Sequence, residues 1–120
     1  MHVCAMHRKL HVSCTIDSAT VGACVQRQAC QFIDVREPTE HDLAHLNHFD
    51  LWPLSQVQTW LPRVNSLLDL DKPTYVLCHH GIRSMHVCNM LAQNGVQELY
   101  NVRGGIAEYS DSVDSSVPQY

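Results

Sequence analysis

The chain has no apolar run near the ~20 residues that a membrane-spanning helix requires, so no span is expected among its 120 residues. It has no basic stripe either. Its 8 lysines and arginines are interspersed with 12 acids for a net charge of −4, which argues against a nucleic-acid partner. The first residues, Met1 to Leu10, are basic but have no apolar centre of the kind a signal peptide needs. None of the 6 cysteines falls in a Cys-x-x-Cys pair. With no export signal and enough material for a core, reduced thiols are expected rather than disulfides. These absences point to a soluble, cytoplasmic protein. No internal repeat is seen, and no linker is long enough to divide the chain.

The composition is that of a globular domain, 45% apolar and 17% charged. A chain of this size buries roughly two-thirds of the surface its unfolded form exposes. Residues 1–10 read as an N-terminal extension and 11–120 as the domain. Val12, Cys14 and Ile16 alternate with polar residues, as in a half-buried strand. Ala19 to Gln28 reads as a short helix capped by Asp17 or Ser18. Phe32 to Val35 is a short apolar run that suits a buried parallel strand. Pro38 suggests a turn into a helix near His41 to Ala44, with a brief strand around Leu51. Ser55 is placed to cap a helix from Gln56 that Pro62 kinks or splits. Tyr75 to Leu77 is the next strand, Ser84 to Asn94 the next helix, Glu98 to Val102 the last strand, and Ile106 the start of a final helix. Strands alternating with helices imply an α/β fold with a mainly parallel central sheet flanked by helices on both faces.

One segment concentrates the chemistry. Cys78-His79-His80-Gly81-Ile82-Arg83-Ser84 follows the apolar run Tyr75-Val76-Leu77 and precedes a helical pattern. A cysteine at the end of a strand, then a glycine-containing loop, then a helix start lets backbone N–H groups converge on the sulfur. The helix adds its own free donors and positive dipole end. That setting favours a thiolate, so Cys78 is expected to be a nucleophile. In such sheets the ligand sits at the C-terminal ends of the strands, where Cys78 falls.

Phe32-Ile33-Asp34-Val35-Arg36-Glu37, then Glu40, Ala44-His45-Leu46, Pro53-Leu54, the Cys78 loop and Asn101-Val102-Arg103-Gly104-Gly105-Ile106 follow one another in order. In that order and spacing the chain resembles the rhodanese-like sulfurtransferases, specifically the small single-domain kind. The segment Val113 to Tyr120 also looks like the endings of bacterial members, cyanobacterial ones especially. Two features depart from the family pattern. His45-Leu46-Asn47-His48-Phe49 lacks the usual glycine and alanine of that turn, and Tyr109 stands where tryptophan is common.

The resemblance implies a rhodanese-like fold and ping-pong sulfur transfer through a Cys78 persulfide, with no cofactor and no metal. The partners implied are a small anionic donor such as thiosulfate and a cyanide or thiol acceptor, a protein thiol included. Substrate binding falls to His79, His80, Gly81, Ile82, Arg83 and Ser84. The loop amides hold the anion, Gly81 supplies positive φ, and Arg83 offers fixed positive charge to the donor. Ser84 caps the helix and its hydroxyl reaches the sulfur. Four residues separate Cys78 from Arg83, against five in related phosphatases, so the ring suits a sulfur atom better than a phosphoryl group. His79 and His80 either tune charge at the site or serve through their backbones alone. Asp34, Arg36 and Glu37 read as a structural ion-pair network under the loop, and Cys88 as a core residue. The histidine–cysteine clusters lack the paired spacing of zinc sites. The rivals to an enzyme are a non-enzymatic protein-binding domain and a persulfide carrier for one partner.

Overall fold

A computed structural model describes residues 2–7, 11–15 and 30–120. Six strands form one sheet. They are β1 (His2–His7), β2 (His11–Thr15), β3 (Gln31–Asp34), β4 (Asp50–Leu51), β5 (Thr74–Leu77) and β6 (Glu98–Arg103), in the order β2-β1-β6-β5-β3-β4. The four strands β6-β5-β3-β4 run parallel, and β1 adds antiparallel to β6 and β2 to β1. His2–His7, expected as an extension, therefore supplies a strand, and its partner is the last strand of the sequence. The helix expected at Ala19 to Gln28 lies outside the described residues.

The helices are α1 (Pro38–Leu43), α2 (Val57–Trp60), α3 (Val64–Leu67), α4 (Ile82–Gln93) and α5 (Gly105–Ser112). Pro38 sits in the first turn of α1, and Glu37 and Glu40 close a reciprocal capping box. Pro62 splits the second helical segment as expected, with a 3₁₀ turn at Leu61–Arg63 between α2 and α3. Ser55 lies in a 3₁₀ turn, and its hydroxyl donates to Glu37 instead of capping a helix. No helix among the described residues is long and apolar enough to cross a membrane.

Strand alternation makes two cores. Phe32, Tyr75, Leu77 and Val102 face α5, where they meet Ile106 and Tyr109 along with Leu46, Phe49 and Val117. Ile33, Val35, Val76 and Leu99 face the other way, onto Trp60, Val64, Val87, Cys88 and Leu91. Tyr75 stacks between Phe32 at 5.3 Å and Tyr100 at 4.9 Å, a cross-strand aromatic ladder that fixes register. The parallel register sets Asp34 opposite Leu77 and Val76 opposite Asn101. The loops after β3 and β5 therefore leave the sheet at the same edge, above the buried Asn101.

Candidate active site

Cys78 follows the last residue of β5, and α4 begins four residues later. Gly81 makes that turn possible. Its φ is 100°, and it occupies the N-cap of α4. The expected cap at Ser84 is thus replaced by glycine, because the chain reaches helical geometry three residues earlier than side-chain type alone suggests. A Cβ at Gly81 would stand 3.1 Å from the Gly104 nitrogen and 3.3 Å from the Val102 carbonyl oxygen. The other wall of the loop is the start of α5. Ile106 N–H donates to the Cys78 carbonyl at 3.0 Å and Ala107 N–H to that of His79 at 3.1 Å. Gly105 allows this approach, since a Cβ there would overlap both carbonyl oxygens.

The sulfur itself is held from two sides. The Gly81 N–H donates to Cys78 Sγ at 3.0 Å, and Ser84 Oγ stands 3.2 Å away. Of the expected ring of loop amides, one donates to the sulfur. The amides of the first turn of α4 have no partner within the helix. Ser84 Oγ also donates to Asn101 Oδ1, whose amide orientation is fixed by Nδ2 donating to the Gly81 carbonyl at 3.0 Å. One hydroxyl proton therefore serves either Asn101 or the sulfur. Cys78 is 1% exposed, yet it lines a cavity of about 290 Å³ with His79, His80, Ile82 and Arg83. Ile82, at 80% exposure, carries the rim of that cavity to solvent.

Arg83 is not the bare cation that the loop alone suggests. Its Nη1 and Nη2 donate to Glu40 Oε1 at 2.6 Å and Oε2 at 2.9 Å, a bidentate pair reaching across to α1. Arg83 lowers the Glu40 carboxyl to about 2, and Glu40 in turn raises the guanidinium further above its ordinary value. A carboxylate whose folded pKa is depressed stabilises the fold fully above its unfolded value, here 4.5, and loses that contribution as pH falls toward about 2. Melting curves between pH 2 and 7 are expected to show this acid-side loss in wild type and to lack it in Glu40→Gln. A Glu40→Gln profile that tracks wild type would remove the ion pair from the account.

Burial pushes His79 below its ordinary value, and the neighbouring His80 adds to the effect. That direction favours the neutral ring and weighs against the charge-tuning reading for His79. Its imidazole stacks on His80 at 4.0 Å and on Tyr120 at 4.0 Å. Asp34 and Arg36 form a buried pair, both side chains 0% exposed, while Glu37, expected in the same network, instead closes the capping box of α1 and accepts from Ser55. Cys88 is core, as expected. Three residues at the site had no role on sequence grounds. They are Glu40, Asn101 and Tyr120. Asn101 carried the clearest signal, a polar side chain between the apolar neighbours Leu99, Tyr100 and Val102.

A family model for the rhodanese-like domain matches residues 20–112. The chain belongs to the rhodanese-like family. Rhodanese-like/PpiC domain-containing protein 12, chloroplastic, of Arabidopsis thaliana is 49% identical over 90 residues, 75% of this chain and 30% of that one. The chain thus spans under a third of that plant relative. Thiosulfate sulfurtransferase GlpE of Vibrio cholerae is 32% identical over 91 residues, 75% of this chain and 81% of GlpE. A crystal structure of a rhodanese-related protein from Thermoplasma volcanium superposes with a TM-score of 0.64 at 28% identity, covering 82% of this chain and 93% of that one. The matched residues hold the four parallel strands β6-β5-β3-β4 and the strand–cysteine-loop–helix arrangement. Membership leaves the chemistry of this rhodanese-like domain to its own residues.

Proposed function

We propose that this rhodanese-like domain is a sulfurtransferase that carries a sulfane sulfur on Cys78. The Cys78 sulfur attacks the outer sulfur of a donor such as thiosulfate. The donor S–S bond breaks, a new S–S bond forms at Cys78, and sulfite leaves with the electron pair. A thiolate or cyanide then attacks the outer sulfur of the persulfide, and the electron pair returns to Cys78. Electrons balance within the two substrates, so the scheme needs no further oxidant or reductant.

The observation that carries this reading is the setting of Cys78 Sγ, between the Gly81 N–H and the Ser84 hydroxyl, in a cavity of about 290 Å³. When the sulfur is anionic, Ser84 turns its proton from Asn101 to the sulfur. The free amides at the start of α4 and the dipole of that helix are the donors for the outer sulfur of the persulfide. Arg83 keeps N–H groups beyond the two that Glu40 takes, and these meet the anionic end of the donor. The likeness to a thiosulfate sulfurtransferase over most of both chains supports the same reading.

A second reading, a persulfide carrier for a protein acceptor, draws on Ile82. An isoleucine 80% exposed on the rim of the cysteine cavity suits contact with a partner surface. Intact-mass analysis after incubation with thiosulfate, followed by peptide mapping, tests both. One added sulfur on the Cys78 peptide, removed by cyanide with turnover, is the expected result. Loading with poor turnover selects the carrier. No loading by thiosulfate, mercaptopyruvate or an organic persulfide, or loading at another cysteine, sinks the proposal.

A further inference from the structure

Residues Val113 to Tyr120 take no part in the chemistry above, yet they end on top of it. Val117 is buried in the core that faces α5, and its carbonyl accepts from the Ser110 hydroxyl at 2.5 Å. That anchor leads the following residues to the cysteine loop. The Tyr120 ring lies 4.0 Å from the His79 ring at an interplanar angle of 11°. Its hydroxyl donates to Glu40 Oε2 at 2.8 Å and accepts from Arg36 Nη1 at 2.9 Å. Tyr120 is nevertheless 37% exposed. A side chain held only for its apolar area has no need of two polar contacts to charged groups while a third of it faces water.

We propose that Tyr120 is a positioning residue of the sulfur-transfer site: its ring fixes the His79 side of the cysteine loop, and its hydroxyl fixes Glu40 and, through Glu40, the Arg83 guanidinium at the cavity rim. The inference rests on the sulfurtransferase reading and goes beyond it. Glu40 reaches Arg83 from the end of a side chain with three rotatable bonds. Its Oε2 takes both the Arg83 and the Tyr120 proton. The phenol therefore restrains the carboxylate, and the carboxylate restrains the guanidinium. An anionic donor then meets a cation already in place, so the ordering cost falls on the fold and not on binding. Discharge of the persulfide by a small thiolate, whose one charge is on the attacking sulfur, brings no oxyanion end for that cation to hold.

The ring has a separate task. His79 faces His80 on its own loop, Glu40 from α1, Arg83 from α4 and Arg36 from the segment after β3, with Tyr120 over its face. The stack shields the imidazole from water, which keeps it neutral at the loop.

Tyr120→Phe and Tyr120→Ala separate the two tasks. Three readouts are needed: kcat and KM for thiosulfate, the rate at which 2-mercaptoethanol discharges a preloaded persulfide, and the NMR titration of His79. Tyr120→Phe loses the hydrogen bonds to Glu40 and Arg36 and is expected to raise KM for thiosulfate by about 3- to 10-fold, the range of an ordinary net hydrogen bond, because the loss reaches the donor only through the Glu40 carboxylate. It should leave the discharge rate and the His79 titration unchanged, because the ring remains. Tyr120→Ala should raise KM at least as far and move the His79 titration up toward its ordinary value. Unchanged KM in both variants overturns the proposal, as does equal slowing of both half-reactions, which marks general loosening of the fold. Wild-type protein that takes up no sulfur at all is a different failure. It removes the sulfurtransferase reading first and this inference with it.

Discussion

Cys78→Ser is expected to abolish sulfur transfer, a fall on the order of 10³-fold or more, and to leave the fold intact. A serine hydroxyl gives up its proton far less readily than a thiol, and its oxygen does not form the S–S bond on which the scheme depends. The replacement is otherwise mild. Serine is slightly smaller, and its oxygen still accepts from the Gly81 N–H that now reaches the sulfur at 3.0 Å. The expected record is a melting temperature close to wild type, no mass gain with thiosulfate and no thiocyanate from cyanide. Cys88→Ala is the control. Cys88 is 0% exposed among Val87 and Leu91, so its truncation leaves a small void and costs roughly 1 kcal/mol, while sulfur loading persists. Activity that survives in Cys78→Ser, or that disappears in Cys88→Ala at full stability, would place the nucleophile at another residue.

The contrast between these cysteines shows how far the sequence could be read. The placement of Cys78 between a strand and a helix was legible because three local signals coincide, an apolar run, a glycine loop and a helical pattern, and all of them lie within a few residues. The Asp34–Arg36 pair was legible for the same reason, since the two residues pair across two positions. What stayed hidden depends on distance along the chain. Arg83 finds Glu40 from 43 residues away, and Tyr120 finds Arg36 from 84. No periodicity encodes such pairs, so Arg83 read as a free cation and Tyr120 had no role. The strand at His2–His7 was hidden too, because its sequence has no clean alternation and its place is set by pairing with β6. The start of α4 shifted from Ser84 to Ile82 for a steric reason. Gly81 in the left-handed region ends the loop early, and that leaves the Ser84 hydroxyl free to serve the sulfur instead of the helix end.

Arg36→Ala is expected to cost about 3–5 kcal/mol of folding stability, a large share of the roughly 5–15 kcal/mol of a typical domain. The Arg36 and Asp34 side chains are both 0% exposed. The guanidinium donates through Nε to Asp34 Oδ1 at 2.9 Å and through Nη2 to Oδ2 at 2.7 Å. Truncation leaves a carboxylate in the interior with one remaining donor, the Arg36 N–H at 3.1 Å, and that uncompensated charge dominates the cost. Arg36→Lys does not rescue it, because a single ammonium cannot reproduce the planar fork. Asp34→Ala/Arg36→Met is expected to recover part of the loss, since removing both charges removes the desolvation problem. Urea denaturation of the three variants against wild type measures each step. A loss below about 1 kcal/mol in Arg36→Ala would show that water reaches the pair and that the interior is not dry there. The consequence extends to the sulfur site. Arg36 also donates to the carbonyls of Ala44 at 2.8 Å and Glu40 at 3.3 Å and to the Tyr120 hydroxyl. It thereby pins the helix that presents Glu40 to Arg83 at Glu40 itself and at the C-cap Ala44. Under conditions where Arg36→Ala remains folded, KM for thiosulfate should rise along with the instability, as in Tyr120→Phe, because both changes release the same carboxylate.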